Sequence, residues 1–359
     1  MATIVLAGGG TAGHIEPALA VAREWKISHP SDRIVFIGTK SGLENSLVPQ
    51  AGFELVHIPK VAISRRVSSS WLQIPFTLIT SVRTSRTILS KADLLVGFGG
   101  YVSGPAYIAA RLAGVPIVIH EANVKPGWAN RLGALLTPYL AVAHHVESRE
   151  FTDALITGLP LRTDVAQAYR DSAADFIEAR RAAKKRLGFQ ENSPLIFVMG
   201  GSQGAIAINA AVSGAVDAFL AKGFSILHSV GKANQLPHSQ GAYRPVSYVE
   251  TMSDAYLASD VIIARSGAVT CSEFRTLGRY ALFVPLPIGN GEQFMNARSL
   301  VTDGRATILD QYLLSSQYLI ENIDGLLAKS QTAPINGSDV ELDAAAKIVA
   351  LGEHAMENQ

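Results

Sequence analysis

Three short glycine-rich runs carry the first chemical signal in this 359-residue chain. They are Gly8-Gly9-Gly10-Thr11-Ala12-Gly13-His14, Gly97-Phe98-Gly99-Gly100-Tyr101-Val102-Ser103-Gly104 and Gly200-Gly201-Ser202-Gln203-Gly204. Each follows an aliphatic run and precedes a helical pattern. Glycine admits positive φ and close backbone approach, and a helix that follows offers unpaired N–H groups and partial positive charge, so such a run can hold a phosphate. The same glycines can merely pack helix on strand; three runs in one chain favour the ligand. None reads Gly-x-x-x-x-Gly-Lys-Ser/Thr, so no P-loop NTPase is indicated. The first run does meet Gly-x-Gly-x-x-Gly at Gly8, Gly10 and Gly13. A ribose-binding acid about 20 residues on should then end the second strand. That strand ends Ile37-Gly38-Thr39-Lys40, without a carboxylate, which disfavours NAD.

Other polar residues stand at strand ends. His14 opens a helix, where it can cap the helix or serve as a general base with a pKa moved by its surroundings. His120-Glu121-Ala122-Asn123 closes a strand and reads as a ligand loop or a solvated one; it is not His-Glu-x-x-His, so zinc has no support. Asp-x-Asp, the usual carboxylate clamp for a metal on a diphosphate, is absent from the chain. In Arg265-Ser266-Gly267-Ala268-Val269-Thr270-Cys271-Ser272-Glu273, Glu273 can complement the helix dipole or accept both hydroxyls of a ribose. Gln293, Asn296 and Arg298 form a further polar cluster. The single Cys271 excludes a disulfide scaffold or a multi-cysteine metal site and fits a reducing compartment.

These groups need a scaffold that gathers strand ends. Thr3–Ala7, Arg33–Gly38, Glu54–Ile58, Asp93–Phe98, Pro116–His120 and Tyr139–Ala143 read as six strands alternating with helices. After a pause at Gly158-Leu159-Pro160-Leu161-Arg162 and a helical stretch from Asp175 to Arg186, the rhythm restarts with Pro194–Gly200, Phe224–Val230, Val246–Val249, Asp260–Ala264 and Ala281–Pro285. The pattern predicts an α/β fold of two doubly wound parallel-sheet domains, residues 1–162 and 163–338, facing across a cleft. A last helix from Glu341 to Leu351, within 339–359, can return to the first domain. The length suits two domains of about 100–200 residues each.

The net charge of +1 gives no sign of a nucleic-acid partner. One stretch departs from that balance. Between Glu54 and Asp93 there is no acid, while Lys60, Arg65, Arg66, Arg83, Arg86 and Lys91 are interleaved with Trp71, Leu72, Ile74, Phe76, Leu78 and Ile79. This is an ordinary amphipathic helix with a serine-rich loop, or a contact with an anionic membrane surface; the local asymmetry favours the membrane. The N-terminus reads as a strand, not a signal peptide. The uncharged stretch between Asp93 and Arg111 falls short of the about 20 apolar residues of a span. A soluble or peripheral protein is expected.

Taken as an ordered set, Gly9-Gly10-Thr11-Ala12-Gly13-His14, Gly97 to Pro105, His120-Glu121-Ala122-Asn123, Gly200 to Ala205, Arg265-Ser266-Gly267-Ala268 and Glu292-Gln293 resemble the MurG family of peptidoglycan N-acetylglucosaminyltransferases over nearly the whole chain. That family has the GT-B fold and makes lipid II from lipid I and UDP-GlcNAc. The resemblance implies an inverting transfer with His14 as base and no metal or other cofactor. It places Thr11, Ala12, Gly13, Asn123, Arg162, Ser202, Val249, Ala268, Glu273 and Gln293 on the UDP-GlcNAc donor. Ser202 and Arg162 would hold the diphosphate, the Val249 backbone the uracil and Glu273 the ribose. Gly9, Gly10, Gly99, Gly100, Tyr101, Ser103 and Glu121 would meet the lipid I acceptor. The implied partners are these substrates, an anionic cytoplasmic membrane leaflet and other cell-wall synthesis proteins. Four positions depart from the commonest pattern: Ala12 for glycine, Ala122 for glutamine, Leu159 for asparagine and Glu292 for glutamine. A GT-B transferase with another lipid acceptor, a dinucleotide-dependent oxidoreductase and a non-catalytic nucleotide-binding module are the alternatives.

Overall fold

A computed structural model describes residues 1–61, 74–287 and 291–358. Arg65, Arg66, Trp71 and Leu72 lie outside the described residues. The chain divides into two compact units, Met1–Arg162 with Val340–Gln359, and Thr163–Asp339.

The first unit holds seven strands: β1 (Thr3–Gly8), β2 (Arg33–Gly38), β3 (Glu54–His57), β4 (Leu94–Gly99), β5 (Ile117–Glu121), β6 (Leu140–Val142) and β7 (Leu155–Ile156). They pair in parallel in the order β3-β2-β1-β4-β5-β6-β7. The second holds β8 (Leu195–Met199), β9 (Ser225–Ser229), β10 (Tyr243–Val246), β11 (Val261–Ala264), β12 (Ala281–Phe283) and β13 (Ala306–Ile308), parallel in the order β10-β9-β8-β11-β12-β13. Both are Rossmann-like, as the alternating pattern predicts.

Three details differ from that pattern. The edge strands β7 and β13, two and three residues long, are too short to show a periodicity. The strand expected at Val246–Val249 lies at Tyr243–Val246 instead, because Pro245 is tolerated in β10, an edge strand with one bonded neighbour. The last helix runs Ala344–Glu357 rather than starting at Glu341.

Strands buried on both faces must be largely apolar, and the central β4 and β8 are so throughout. In the first sheet Ile4, Leu6, Phe36, Leu94 and Val96 point to one side, against the helix Ala12–Ser28 and the last helix. Val5, Ala7, Val35, Leu95 and Ile119 point to the other, against the helix Ser103–Ala113. The last helix is thus part of the first unit's core: Ile348 and Val349 join the cluster of Trp25 and Leu94. In the second sheet Ile196, Val198, Ile226 and Ile263 share a core with the helices Ile206–Ser213 and Ser316–Thr332. Phe197, Tyr256, Phe274 and Phe283 form a chain of ring contacts within the same unit.

In both sheets the strand order reverses beside the first strand of the unit, between β1 and β4 and between β8 and β11. Loops after such a pair diverge and leave a crevice at the carboxyl ends, where open α/β sheets bind ligands. The first two glycine runs follow β1 and β4; the third follows β8, and Arg265-Ser266-Gly267 follows β11.

Ile348 is fully buried, so Ile348→Ala should lower stability by about 2–5 kcal/mol, whereas Ile335→Ala, at a half-exposed site, should stay within about 0.5 kcal/mol. Urea unfolding of the full chain checks both; equal effects would show that the last helix contributes nothing to the core.

Candidate functional site

In the first unit, β1 ends at Gly8 and the helix Ala12–Ser28 starts after Thr11, so Gly9 and Gly10 make the turn. His14 is half-buried in the first turn of that helix. Its Nδ1 lies 3.2 Å from the Gly9 carbonyl and 3.3 Å from Thr11 Oγ1. A carbonyl oxygen only accepts, so Nδ1 carries the ring proton and Nε2 is the basic nitrogen. Burial lowers the imidazole pKa, partly opposed by the Gly9 hydrogen bond and the charge of Glu44. A neutral imidazole with one defined basic nitrogen is what a general base requires.

The second glycine run lies against the first. Gly100 has φ +83°, and a Cβ there would stand 2.5 Å from the Gly9 carbonyl and 3.2 Å from His14 Nδ1. Only glycine lets the loops approach this closely. Tyr101 packs its ring beside Gly10, and its hydroxyl lies 3.2 Å from Thr39 Oγ1 and 3.4 Å from Glu44 Oε1. Lys60 places its ammonium 4.8 Å from the centre of the Tyr101 ring. Ser103, at the start of its helix, turns inward: its Oγ lies 2.8 Å from the carbonyls of both Ala7 and Gly99. Its hydroxyl therefore joins β1 to the loop after β4.

Glu121 also faces inward. It is 3% exposed; one oxygen accepts from the backbone N and Nδ2 of Asn123, the other from Gly127 N and Asn130 Nδ2, all at 2.9–3.0 Å. Burial raises its pKa and these four bonds oppose the rise. The carboxylate shapes the 121–130 loop, and Asn123 is the half-exposed member of the set. Asn130 is held in turn by the Tyr107 hydroxyl at 2.7 Å. His120 is buried and donates from Nε2 to the Gly158 carbonyl at 3.0 Å; burial pushes its pKa down to about 4. Arg162 is the half-buried last residue of this part of the unit. Leu159 is buried at 1% exposure, an apolar place for a residue that is asparagine in the commonest pattern.

In the second unit, Ser202 is half-buried in the Gly200–Gly204 turn, ahead of the helix Ile206–Ser213. Gly204, at φ +73°, has no room for a Cβ because the Val230 carbonyl presses on it. That carbonyl accepts from Asn209 Nδ2 at 2.9 Å and Asn234 Nδ2 at 2.8 Å, and Asn234 also donates to the Gln203 carbonyl at 2.9 Å. Buried His228 bonds to Asn209 Oδ1 and to the Tyr243 hydroxyl, with a pKa lowered to about 4 by burial. These bonds hold the loop in one shape. Glu273, 3% exposed on the helix Ala268–Thr276, accepts from the Tyr256 hydroxyl at 2.7 Å. Ala268 is the first residue of that helix, and Gln293 Oε1 accepts from Leu286 N at 3.0 Å. Val249 is buried in the segment between β10 and the helix Met252–Ala258. Arg265 acts as a strut: it donates to the carbonyls of Val284 and Pro285 and to Gln311 Oε1.

Sequence reasoning missed Glu44, Asn130, Asn209, Asn234 and Tyr256. No spacing marks them, because each reaches its loop from a different element. Among the described residues no group of three or more His, Cys, Asp or Glu side chains comes together as a metal site. Among the described residues no helix is long and apolar enough to cross a membrane. The helix Ile74–Leu89 buries Ser81, Ser85 and Leu89 and leaves Phe76 75% and Ile79 50% exposed. Arg83 and Arg86 are exposed too, and the spacing 76, 79, 83, 86 puts all four on one face. Ile74 is half-buried.

Residues 4–137 match the glycosyltransferase family 28 N-terminal domain, and residues 195–350 match the glycosyltransferase family 28 C-terminal domain. A relative from Thermobifida fusca is 40% identical, covering 97% of this chain and 94% of its own length. One from Frankia casuarinae is 41% identical, with the same two coverages. Both are named UDP-N-acetylglucosamine–N-acetylmuramyl-(pentapeptide) pyrophosphoryl-undecaprenol N-acetylglucosamine transferase. The crystal structure of Acinetobacter baumannii MurG superposes with a TM-score of 0.68 at 25% identity, over 99% of this chain and all of the other. Paired Rossmann-like units of the GT-B type, both domain matches and full-length kinship agree: the chain belongs to glycosyltransferase family 28 and, within it, to the MurG family of N-acetylglucosamine transferases.

Proposed function

We propose that the chain transfers N-acetylglucosamine from UDP-GlcNAc to the 4-hydroxyl of pyrophosphoryl-undecaprenol-linked N-acetylmuramyl-pentapeptide, the step that turns lipid I into lipid II. The observation that carries this reading is end-to-end similarity to relatives named for that transfer. The acceptor hydroxyl attacks the anomeric carbon from the face opposite UDP. A C–O bond forms there while the bond to the β-phosphate oxygen breaks, and its electron pair leaves with UDP. The hydroxyl proton goes to Nε2 of His14, the nitrogen left basic by the Gly9 contact. Charge building on UDP is met by backbone N–H groups of the Gly200–Gly204 turn and by Arg162, which together stand in for a metal. Glu273, oriented by Tyr256, takes the ribose; Val249, Ala268, Gln293 and Asn123 serve the uracil and the sugar. Glu121 acts by holding Asn123 and Asn130 in place.

The exposed face of Phe76, Ile79, Arg83 and Arg86 supports a peripheral contact with the anionic cytoplasmic leaflet, where a lipid-linked acceptor must be met. Apolar side chains enter the acyl boundary while each arginine near anionic lipid contributes about 1 kcal/mol.

Transfer of radiolabelled GlcNAc from UDP-GlcNAc to a lipid I analogue tests the reaction, and it should persist in EDTA. His14→Ala should lower kcat by about 10²–10⁴-fold, and Glu273→Ala should raise KM for UDP-GlcNAc. Absence of product refutes the reaction, and full kcat without His14 removes that residue as the base. Because burial lowers the His14 pKa, the acid limb of kcat/KM should fall below the ordinary histidine value of about 6.5: activity is retained as pH drops to that value and is lost below the shifted pKa, where Nε2 is protonated. For the membrane face, the double variant Phe76→Ser, Arg83→Glu should bind anionic vesicles more weakly in a sedimentation assay. Unchanged binding would remove this helix from the contact.

A further inference from the structure

Glu44 stands in the first turn of the helix Glu44–Gln50, fully buried, six residues past the end of β2. Its carboxylate reaches back to the site. Oε1 accepts from Thr39 N at 2.9 Å and Thr39 Oγ1 at 3.2 Å, with the Tyr101 hydroxyl at 3.4 Å; Oε2 accepts from Gly10 N at 3.1 Å. All four partners are donors, and an ionised carboxylate is acceptor-only with room for about four such bonds. Its side chain also fills the space beside Gly38, where a Cβ would stand 2.5 Å from the Glu44 Cγ.

The Gly10 N–H and the Gly9 C=O belong to one peptide group. Its N–H donates to Glu44, and its carbonyl accepts from His14 Nδ1 at 3.2 Å. A peptide group is planar, so fixing its N–H side fixes the direction of its carbonyl. Hydrogen bonds in series through a polarisable group also strengthen one another. We propose that Glu44 is a positioning residue for His14, acting through the Gly9–Gly10 peptide as a carboxylate–peptide–imidazole relay. The carboxylate draws on the amide proton, the carbonyl becomes a better acceptor, and the ring is held as its Nδ1–H tautomer with Nε2 basic. The relay also occupies the Gly10 amide, which in a dinucleotide-binding loop would be offered to a phosphate. At Gly9–Gly10 the first glycine run thus meets an anion of the protein itself and serves as an imidazole mount.

This rests on His14 being the base proposed above. The titratable and charged groups around the ring are Glu44 from the helix after β2, Tyr101 from the loop after β4 and Glu16 from its own helix, with Lys60 beyond the Tyr101 ring. The Tyr101 phenol is held above its ordinary value by burial and stays neutral at the pH of the assay. Glu16 is two positions along the helix from His14 and does not share its face. Glu44 is the charge that favours the imidazolium.

Glu44→Gln in the full chain keeps the shape and removes the charge. The expected result is a kcat lower by about 10–100-fold, as for outer partners that orient a metal-bound histidine, with KM for UDP-GlcNAc unchanged. The acid limb of the pH profile moves further down, since a charge that favoured the imidazolium is gone. A residue that merely supported the fold would leave the limb in place. In parallel, ¹⁵N-edited NMR of the imidazoles reads the tautomer and titration midpoint of His14 without turnover. Wild-type His14 must be the Nδ1–H form, and its midpoint must fall in Glu44→Gln. An Nε2–H wild-type ring, or a variant with unchanged kcat and midpoint, overturns the proposal. The wild-type tautomer needs no variant, so a Glu44→Gln chain that fails to fold still leaves the proposal open to refutation. A chain without transfer activity but with the expected tautomer and shift would refute the reaction and keep the relay.

Discussion

The reversal of strand order beside β1, and again beside β8, is the constraint on which the rest depends. Parallel strands all point one way, so every loop that follows a strand lies at the same end of its sheet. At the reversal, neighbouring loops turn to opposite faces and leave an opening between them. The loops after β1 and β4 both enter that opening, and they come close enough that Gly100 has no space for a side chain against Gly9. In the second sheet the loops after β8 and β11 hold the equivalent place. In each unit the polar networks at these loops, Ser103 and Glu121 in the first and Asn209 and Asn234 in the second, keep irregular backbone in one shape at such an end.

Those networks share a principle. A loop at a strand end carries backbone groups that no sheet or helix satisfies, and burial without partners would cost each of them. In the first unit, carboxylates supply the partners: Glu44 for the loop after β1, Glu121 for the loop after β5. In the second, the amides of Asn209 and Asn234 do so. The difference suits the assigned chemistry. A loop proposed to receive a nucleotide diphosphate is better shaped by neutral groups, which leave its positive end uncompensated, whereas a loop that carries an imidazole gains from a fixed negative charge behind it.

Much of this was legible in the residues. Glycine runs behind aliphatic strands announced both the parallel sheets and the tight turns at their ends, because the backbone geometry of those turns admits little else. His14, Ser202 and Glu273 stood out by their distance from a glycine or from a strand end. What could not be read were groups whose importance arises only in three dimensions. Glu44 looks like a helix-opening acid, and nothing in its spacing says that it turns back on Gly10. Glu121 was read as facing a ligand, but a carboxylate at 3% exposure with four donors is committed to its own loop. The short edge strands β7 and β13 escaped because two or three residues cannot display a period, and β10 was displaced because a proline at an edge does not break a strand.

The last helix bears on how the molecule is made. Its residues complete the hydrophobic cluster around Trp25 and Leu94, yet they are synthesised after the whole of the second unit. On a ribosome, the second unit can therefore reach its native state while the first is still short of a wall, with apolar surface open to whatever is near. The amino-terminal half is translated first and finished last, an inversion of the usual vectorial order.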